Sequence, residues 1–305
     1  ERFTGLGVEC IGGEATITSP WTVQVDGREI RTRAIVVATG ARPMIPPIPG
    51  LEQMDYLHSD NVWELRELPA RLLVLGAGPI GCELAQSFAR LGASVTIVDR
   101  ADAVMPREDE DVAALVTERF RAEGVRVLTS ATIREFLTDS DGHRMTADHA
   151  GEEISVGFDR VLVALGRKAN VEGFGLEALG IRLTSGGTIE VNQHLQSSCP
   201  TIYACGDVAG PYQFTHMASY QAWYATLNAL LGGIKRFRIN YAVVPFATFT
   251  DPEVARVGLN EREARDRGID YELTRYEIDD LDRAIADGEA HGFVKVLTTP
   301  GTDVT

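Results

Sequence analysis

The sequence predicts an α/β protein: a three-layer, Rossmann-like domain with a β insertion, followed by an α+β domain that stops partway. Three observations predict it. An apolar strand, Arg71-Leu72-Leu73-Val74-Leu75, runs into Gly76-Ala77-Gly78-Pro79-Ile80-Gly81, and an apolar-periodic helix from Cys82 to Phe88 runs out. A second strand, Ser94–Val98, ends on Asp99, near the ~20-residue offset at which a carboxylate meets a ribose 2′-hydroxyl. Buried-strand and amphipathic-helix patterns then give β-α-β-α-β, an insert and one more strand over residues 70–166.

Each element has a local reason. Ala15–Thr18 and Trp21–Val25 alternate as strands, and Asp26-Gly27 is a hairpin turn. Ala34–Ala38 is a buried strand ending at Thr39-Gly40. Pro43, Pro46, Pro47 and Pro49 before Gly50 exclude a helix or a central strand, so this stretch reads as a stiff linker. In the glycine turn, Gly76 permits the tight bend, Gly78 lets the backbone approach a pyrophosphate, and Gly81 lets helix and strand pack closely. Phosphates would meet the free N–H groups and positive end of the helix, with Pro79 and Ile80 in its first turn. A glycine-rich turn without a ligand is the plain alternative.

Glu108–Glu123 is an amphipathic helix stopped by Gly124, and Val125–Leu128 is a third strand. Residues 133–157 form a polar β excursion with turns at Asp141-Gly142 and Ala150-Gly151. Arg160–Leu165 is a buried strand closing on Gly166-Arg167. Beyond it, Thr201–Ala204 is a short strand ending in Cys205-Gly206-Asp207, and a long helix runs from Thr215 to Leu231. Val243–Thr250, Ala255–Leu259, Tyr271–Ile278 and Phe293–Leu297 read as strands, and Glu261–Arg267 as a short helix.

At 305 residues the chain has room for about two domains. A net charge of −15 argues against nucleic acid and anionic membrane surfaces as partners. No apolar run approaches ~18 residues, so no membrane span is expected and a cytoplasmic location is. The chain opens on Glu1 without a Met and stops on Thr305, and both ends read as cut. Four cysteines make no disulfide scaffold at this length. Cys10 and Cys82 have apolar neighbours and read as core residues. Cys199 and Cys205 flank Pro200–Ala204, which reads as a strand. Six strand steps separate Cα atoms by roughly 20 Å, against at most about 7 Å for a disulfide.

Four signals stand in order: Ala38-Thr39-Gly40, the glycine turn, Ala204-Cys205-Gly206-Asp207, and Phe249-Thr250-Asp251-Pro252-Glu253-Val254-Ala255-Arg256-Val257-Gly258. Together they resemble the class I pyridine nucleotide-disulfide oxidoreductases, the flavoprotein disulfide reductases. Residues 282–296 are most similar to the mercuric reductase and dihydrolipoamide dehydrogenase branches. The resemblance covers essentially the whole chain. It implies a nucleotide domain inserted into a split FAD domain: residues 1–69 as the end of the first FAD segment and linker, and 70–166 as the NAD(P) domain. Residues 167–240 then form the second FAD segment and 241–305 a partial dimerisation domain.

By motif, the resemblance assigns Glu14 and Ala15 to the FAD adenine and Thr39 and Gly40 to its flavin-side turn. Gly206 and Asp207 go to the ribityl chain, and Gln213, Phe214, Thr215 and His216 to the flavin at a helix N-terminus. Taken alone, Asp207 reads as a turn cap and His216 as a surface histidine. The nucleotide site comprises Gly76, Gly78, Pro79, Ile80, Gly81, Glu83, Asp99, Arg100, Thr132 and Gly166. Glu83 stands at the family position of a nicotinamide-side carboxylate, and equally reads as a first-turn glutamate complementing the helix dipole. The family's proline two residues after Arg167 is replaced by Ala169. Asp99 favours NAD(H), whereas Arg100 and Arg107 suit a 2′-phosphate, and the carboxylate in the fingerprint position tips the choice to NAD(H) over NADP(H).

The family also uses an N-terminal GxGxxG, a Cys-x₄-Cys pair and a C-terminal His-Pro-x-x-x-Glu. None occurs in these 305 residues, and we expect them beyond the cut ends, so no catalytic residue is assigned here. The resemblance implies a flavin-dependent oxidoreductase that passes hydride from NAD(P)H to flavin and on to a small-molecule or ion acceptor, as a homodimer. A thiol-independent transhydrogenase or diaphorase, and a catalytically dead nucleotide-binding body, are the alternatives. No metal site is expected.

Overall fold

The computed structural model describes residues 2–140 and 142–305, so the Asp141 half of the expected Asp141-Gly142 turn lies outside the described residues. Along the chain run β1 (Ala15–Ser19), β2 (Thr22–Val25), β3 (Arg28–Arg31), β4 (Ile35–Val37), β5 (Ala41–Pro43) and β6 (Arg71–Leu75). Then come α1 (Pro79–Arg90), β7 (Ser94–Val98), α2 (Glu110–Ala122), β8 (Arg126–Leu128), β9 (Ala131–Asp139), β10 (Gly142–His149), β11 (Glu152–Phe158), β12 (Arg160–Val163) and β13 (Arg167–Ala169). The chain ends with β14 (Ile202–Ala204), α3 (Thr215–Leu231), β15 (Pro245–Thr248), β16 (Val254–Val257), α4 (Glu261–Asp266), β17 (Glu272–Glu277), α5 (Asp282–Asp287) and β18 (Phe293–Thr298). The chain forms two compact units, one from the segment ending at Arg42 with Arg167–Tyr241, the other from Pro43–Gly166 with Ala242–Thr305.

In the first unit β1, β2 and β3 form an antiparallel meander. Asp26 and Gly27 join β2 to β3 with φ of 44° and 86°, the positive pair that a two-residue hairpin of matching twist demands. β4 pairs in parallel with β14, Ile35 to Val37 opposite Ile202 to Ala204. Ile17, Ile35, Val37, Ile202 and Ala204 share one core. α3 buries Met217, Gln221, Ala225 and Asn228, a ridge spaced four, four and three residues.

The second unit is built on a parallel sheet of order β12-β6-β7-β8. Alternate residues point to opposite faces. Leu72, Val74, Val95 and Ile97 pack with Ala85, Val116 and Phe120 of α1 and α2. Leu73, Leu75, Val98, Val161 and Val163 pack instead with Phe136, Met145, Val156 and Phe158 of a second, antiparallel sheet, β11-β10-β9. Helices, parallel sheet and β insertion are the three layers.

The linker is more than a spacer: Leu51, Met54, Leu57 and Val62 are buried in these two cores. Its Gly50 has φ 82°, and a Cβ there would lie 2.1 Å from the Phe136 carbonyl oxygen. The short strand β5 ends on the first proline, Pro43, and a 3₁₀ turn at Leu51–Gln53 follows Gly50.

The C-terminal part of this unit holds the antiparallel pairs β15–β16 and β17–β18. Asn260 caps α4 by accepting from the Glu263 N–H at 2.9 Å. The Lys295 ammonium, on a side chain 9 % exposed, donates to Asp109, Asp111 and Glu261 at 2.7, 2.9 and 2.7 Å. β17 is exposed along its whole length, and Tyr276, Ile285 and Val294 leave apolar surface open. Helix α5 has no counterpart in the sequence reading. Cys10 is exposed rather than in the core, because residues 2–14 belong to no sheet. The strand before Cys205 starts only at Ile202, and Cys199 sits in a turn whose carbonyl accepts from the Ile202 N–H at 3.0 Å. All four cysteines are free.

Candidate functional site

Both predicted sites lie at the carboxyl ends of parallel strands, where an open α/β sheet leaves its crevice. In the second unit β6 has β7 on one side and β12 on the other, so the chain's order reverses at β6. The Gly76 N–H donates to the Val98 carbonyl at 2.9 Å, and the Ala164 N–H donates to the Leu75 carbonyl at 2.8 Å, drawing three strand ends together. Gly76 has φ 105°, and its Cβ would lie 2.4 Å from the Ala164 carbonyl oxygen. A Cβ on Gly81 would lie 2.0 Å from the Gly76 carbonyl oxygen. Gly78 differs: its φ of −76° suits any residue, and nothing stands within 4 Å of its Cβ direction. The fold requires glycine at Gly76 and Gly81. At Gly78 the fold places no such demand.

Asp99 closes the turn. The Ala77 N–H donates to its Oδ2 at 2.6 Å and the Ala101 N–H to its Oδ1 at 2.7 Å. Arg100 and Arg107 are exposed. The Ala131 N–H donates to the Asp99 carbonyl at 2.9 Å, which brings exposed Thr132 to the same edge. Gly166 follows β12, and its carbonyl accepts from the Met44 N–H at 2.9 Å. Glu83, half-buried on the first turns of α1, accepts at Oε1 from the Phe249 N–H at 2.8 Å. Pro79 is the first residue of α1 and Ile80 its second, and no side chain caps that N-terminus. The ten nucleotide-site residues expected from the sequence thus gather around one strand edge and one helix start.

In the first unit the Cys205 N–H donates to the Val37 carbonyl at 3.0 Å, so Thr39-Gly40 and Gly206-Asp207 leave adjacent strand ends. Asn170 clasps the first turn: its side-chain amide donates to the Thr39 carbonyl at 2.9 Å and its N–H to the Gly40 carbonyl at 2.9 Å. The Thr39 hydroxyl donates to the Asn170 carbonyl at 2.7 Å. Buried Gln221 fixes the second turn, accepting from the Gly206 N–H at 2.6 Å and donating to the Gly210 carbonyl at 2.7 Å and to the Tyr241 hydroxyl at 2.9 Å. Asp207 is half-buried and lies 3.4 Å from Arg167 Nε. A Cβ on Gly206 would meet Ala218 on α3 at 3.4 Å, which sets this turn against the helix start carrying Thr215 and His216. The rings of Phe214 and His216 stack at 5.3 Å, and Gln213 is exposed beside them. Glu14 and Ala15 open β1, where the Glu14 N–H donates to Asp26 Oδ1 at 3.1 Å.

Asn170 and Gln221 escaped the sequence reading. The only signal for Gln221 is a carboxamide on the buried ridge of an otherwise apolar helix, and Asn170 gives none beyond its place after Ala169. Two of the thiols are quiet: burial pushes Cys82 up to about 12 and Cys205 above its ordinary value. Among the described residues no helix is long and apolar enough to cross a membrane.

Each unit thus sets turns at the ends of parallel strands against the start of a helix. Residues 3–222 match the pyridine nucleotide-disulphide oxidoreductase family and residues 244–304 its dimerisation domain, and the chain belongs to that family. It is 35 % identical over 296 residues to a mercuric reductase of Staphylococcus aureus, covering 97 % of this chain and 54 % of that protein. It is 34 % identical over 297 residues to a dihydrolipoyl dehydrogenase of Bacillus subtilis, covering 96 % of this chain and 64 % of the relative. The crystal structure of LpdA from Mycobacterium tuberculosis superimposes with a TM-score of 0.87 at 28 % identity, covering 99 % of this chain and 67 % of that one. The chain spans about half the length of the Staphylococcus aureus and Bacillus cereus mercuric reductases it matches.

Proposed function

We propose that the protein is an FAD- and NAD(H)-dependent oxidoreductase that passes hydride from the nicotinamide to the flavin and on to a disulfide, a metal ion or a similar acceptor. The observation that carries this reading is Gly78, a glycine the fold does not need, at an uncapped helix start beside Asp99. The residues fit a dinucleotide. Gly76 to Gly81 would take the pyrophosphate, Asp99 the ribose and Glu83 the nicotinamide end. Asp99 supports NAD(H) over NADP(H): two backbone N–H groups fix its carboxylate where a 2′-phosphate would have to sit. Arg100 and Arg107 lie exposed, with freedom to turn away.

In the first unit Thr39, Gly40, Gly206, Asp207 and residues 213–216 would hold FAD, with Glu14 and Ala15 at its adenine. Gly40 supports this assignment, since it has φ 66° and open space in its Cβ direction. When bound, the flavin supplies a two-electron relay. The chain's contribution is placement: Gln221 and Asn170 hold the two turns, and the start of α3 offers positive potential to negative charge. Residues 244–304 support assembly as a homodimer.

One other reading has its own observation. Burial pushes the Cys82 and Cys205 thiols up, so neither of these two offers a ready nucleophile, in line with a diaphorase-type transfer directly from flavin. Titration of the purified chain with NADH, NADPH and FAD tests the proposal. NADH should bind at least several-fold tighter than NADPH. Equal or reversed preference overturns the NAD(H) assignment, and failure to bind either nucleotide overturns the whole reading. NADH binding without FAD retention or turnover points to the nucleotide-binding body alone.

A further inference from the structure

Glu83, Gln86 and Arg90 are spaced three and four residues apart, so they form one ridge along α1. All three grip the same short run, Phe249-Thr250-Asp251. The Phe249 N–H donates to Glu83 Oε1 at 2.8 Å. Gln86 pairs with the Asp251 backbone in both directions, accepting from its N–H at 2.8 Å and donating to its carbonyl at 2.8 Å. Arg90 bonds the Asp251 carboxylate, which Arg119 of α2 also meets at 3.3 Å. Glu123 anchors the other side, accepting from Arg90 at 2.6 Å and from Gln86 at 3.1 Å. Gln86 is only 4 % exposed. A polar side chain so buried is kept there by its hydrogen bonds.

The two-way pairing fixes register. If the run slid by one residue along α1, both Gln86 bonds would break and the Phe249 N–H would leave Glu83. Glu83 is the fifth residue of α1, and a glutamate on a helix surface ordinarily samples several rotamers. Here a backbone donor selects one, and it occupies Oε1 while Oε2 has no such partner among the described residues. A carboxylate held this way can accept from a ligand amide without first being ordered.

We propose that the run Phe249–Asp251 is a positioning element for Glu83, locked by Gln86, that presents Oε2 to the carboxamide N–H of a nicotinamide ring. The proposal rests on the nucleotide-site reading above. Asp251 and Gln86 act through Glu83 and touch no ligand themselves.

The test compares NADH with ADP-ribose, which shares everything except the nicotinamide. Binding of each is measured by calorimetry on the parent chain, Glu83→Gln, Gln86→Met and the double variant. Gln86→Met should weaken NADH by roughly three- to tenfold, the range for partial loss of one oriented hydrogen bond, and leave ADP-ribose within about twofold. In the Glu83→Gln background the same substitution should add less than about twofold, since coupled residues are not additive. Equal losses for both ligands, or full additivity, overturn the proposal. If Gln86→Met fails to fold by circular dichroism, Asp251→Asn decides. It keeps the backbone pairing but weakens the Arg90 anchor, and should show the same NADH-selective loss; no selectivity there overturns the proposal too. A parent that binds neither ligand overturns the nucleotide-site reading instead, and this inference with it.

Discussion

Gly78→Ala and Gly81→Ala should fail in opposite ways, although they sit three residues apart in one motif. At Gly81 the new Cβ would stand 2.0 Å from the Gly76 carbonyl oxygen and 3.0 Å from its carbon. Comfortable contacts lie near about 3.5 Å, so the overlap exceeds an ångström and falls on backbone that cannot rotate aside. Overpacking of this kind costs about 3 kcal/mol at its upper end, and alanine's helix propensity returns about 1 kcal/mol, leaving a net loss of about 2 kcal/mol. At Gly78 the backbone angles suit alanine and the Cβ direction is open. Restricting the unfolded chain stabilises by about 0.4–1 kcal/mol, and alanine as N-cap residue loses a similar amount, so the two nearly cancel. NADH affinity of Gly78→Ala should nonetheless fall at least about tenfold, or about 1.4 kcal/mol, because the methyl occupies the approach to the helix start. Urea unfolding and NADH titration on both variants make the measurement. Parent-like NADH binding by Gly78→Ala, or parent-like stability of Gly81→Ala, would refute the division of roles between these glycines.

Asp99→Ser should raise the NADPH-to-NADH affinity ratio about tenfold by removing a fixed negative charge, and should lower stability by about 1–3 kcal/mol because two turn amides lose their acceptor. Both effects come from one titration and one urea series. Lys295→Met should cost about 3–5 kcal/mol in the same assay, since it leaves three carboxylates facing one another beside a buried site. Arg90 hydrogen bonds hold Glu123 and Asp251 below the usual carboxylate range. Acids lowered by folding stabilise fully above their unfolded values near pH 4 and lose that contribution as pH falls through the lowered ones. Burial raises Glu108, whose contribution has the opposite sign. Arg90→Met should therefore show a flatter loss of urea midpoint than the parent between about pH 6 and pH 3; an unchanged slope would discount the Arg90 cluster.

Most of the fold was legible because its signals are local. The strand into Gly76, the helix out of it and the stop at Gly124 each depend on a few neighbouring residues, and α3 occupies Thr215–Leu231 as its period implies. The misreadings share a different cause. The proline stretch reads as a stiff linker, but its local pattern does not show that Leu51, Met54, Leu57 and Val62 after it are buried against strands far away in sequence. Cys10 looked like core because its neighbours are apolar, but no strand of the described chain covers it. α5 is six residues long and, unlike α4 of the same length with its Asn260 cap, begins after Leu281 with no capping side chain to mark it.

The candidate site divides along the same line. Residues that would touch ligand follow fixed local spacings, because a pyrophosphate or a ribose demands them. Residues that hold those in place follow none: Asn170 reaches Thr39 across 131 positions, and Phe249 reaches Glu83 across 166. A polar group of suitable length could serve from many points in the chain, so no motif marks it. Asp99 belongs to both classes. Its carboxylate would meet the ribose of the proposed nucleotide, and it accepts the Ala77 and Ala101 N–H groups that shape the turn. On the proposed reading, cofactor preference and turn geometry would rest on the same two oxygens. A change of preference by substitution at Asp99 alone must loosen the turn, and a replacement that keeps the turn tight has to supply acceptors for both amides without the charge. Asparagine offers one carbonyl oxygen for two N–H groups, so Asp99→Asn should relax the preference while recovering only part of the stability lost in Asp99→Ser.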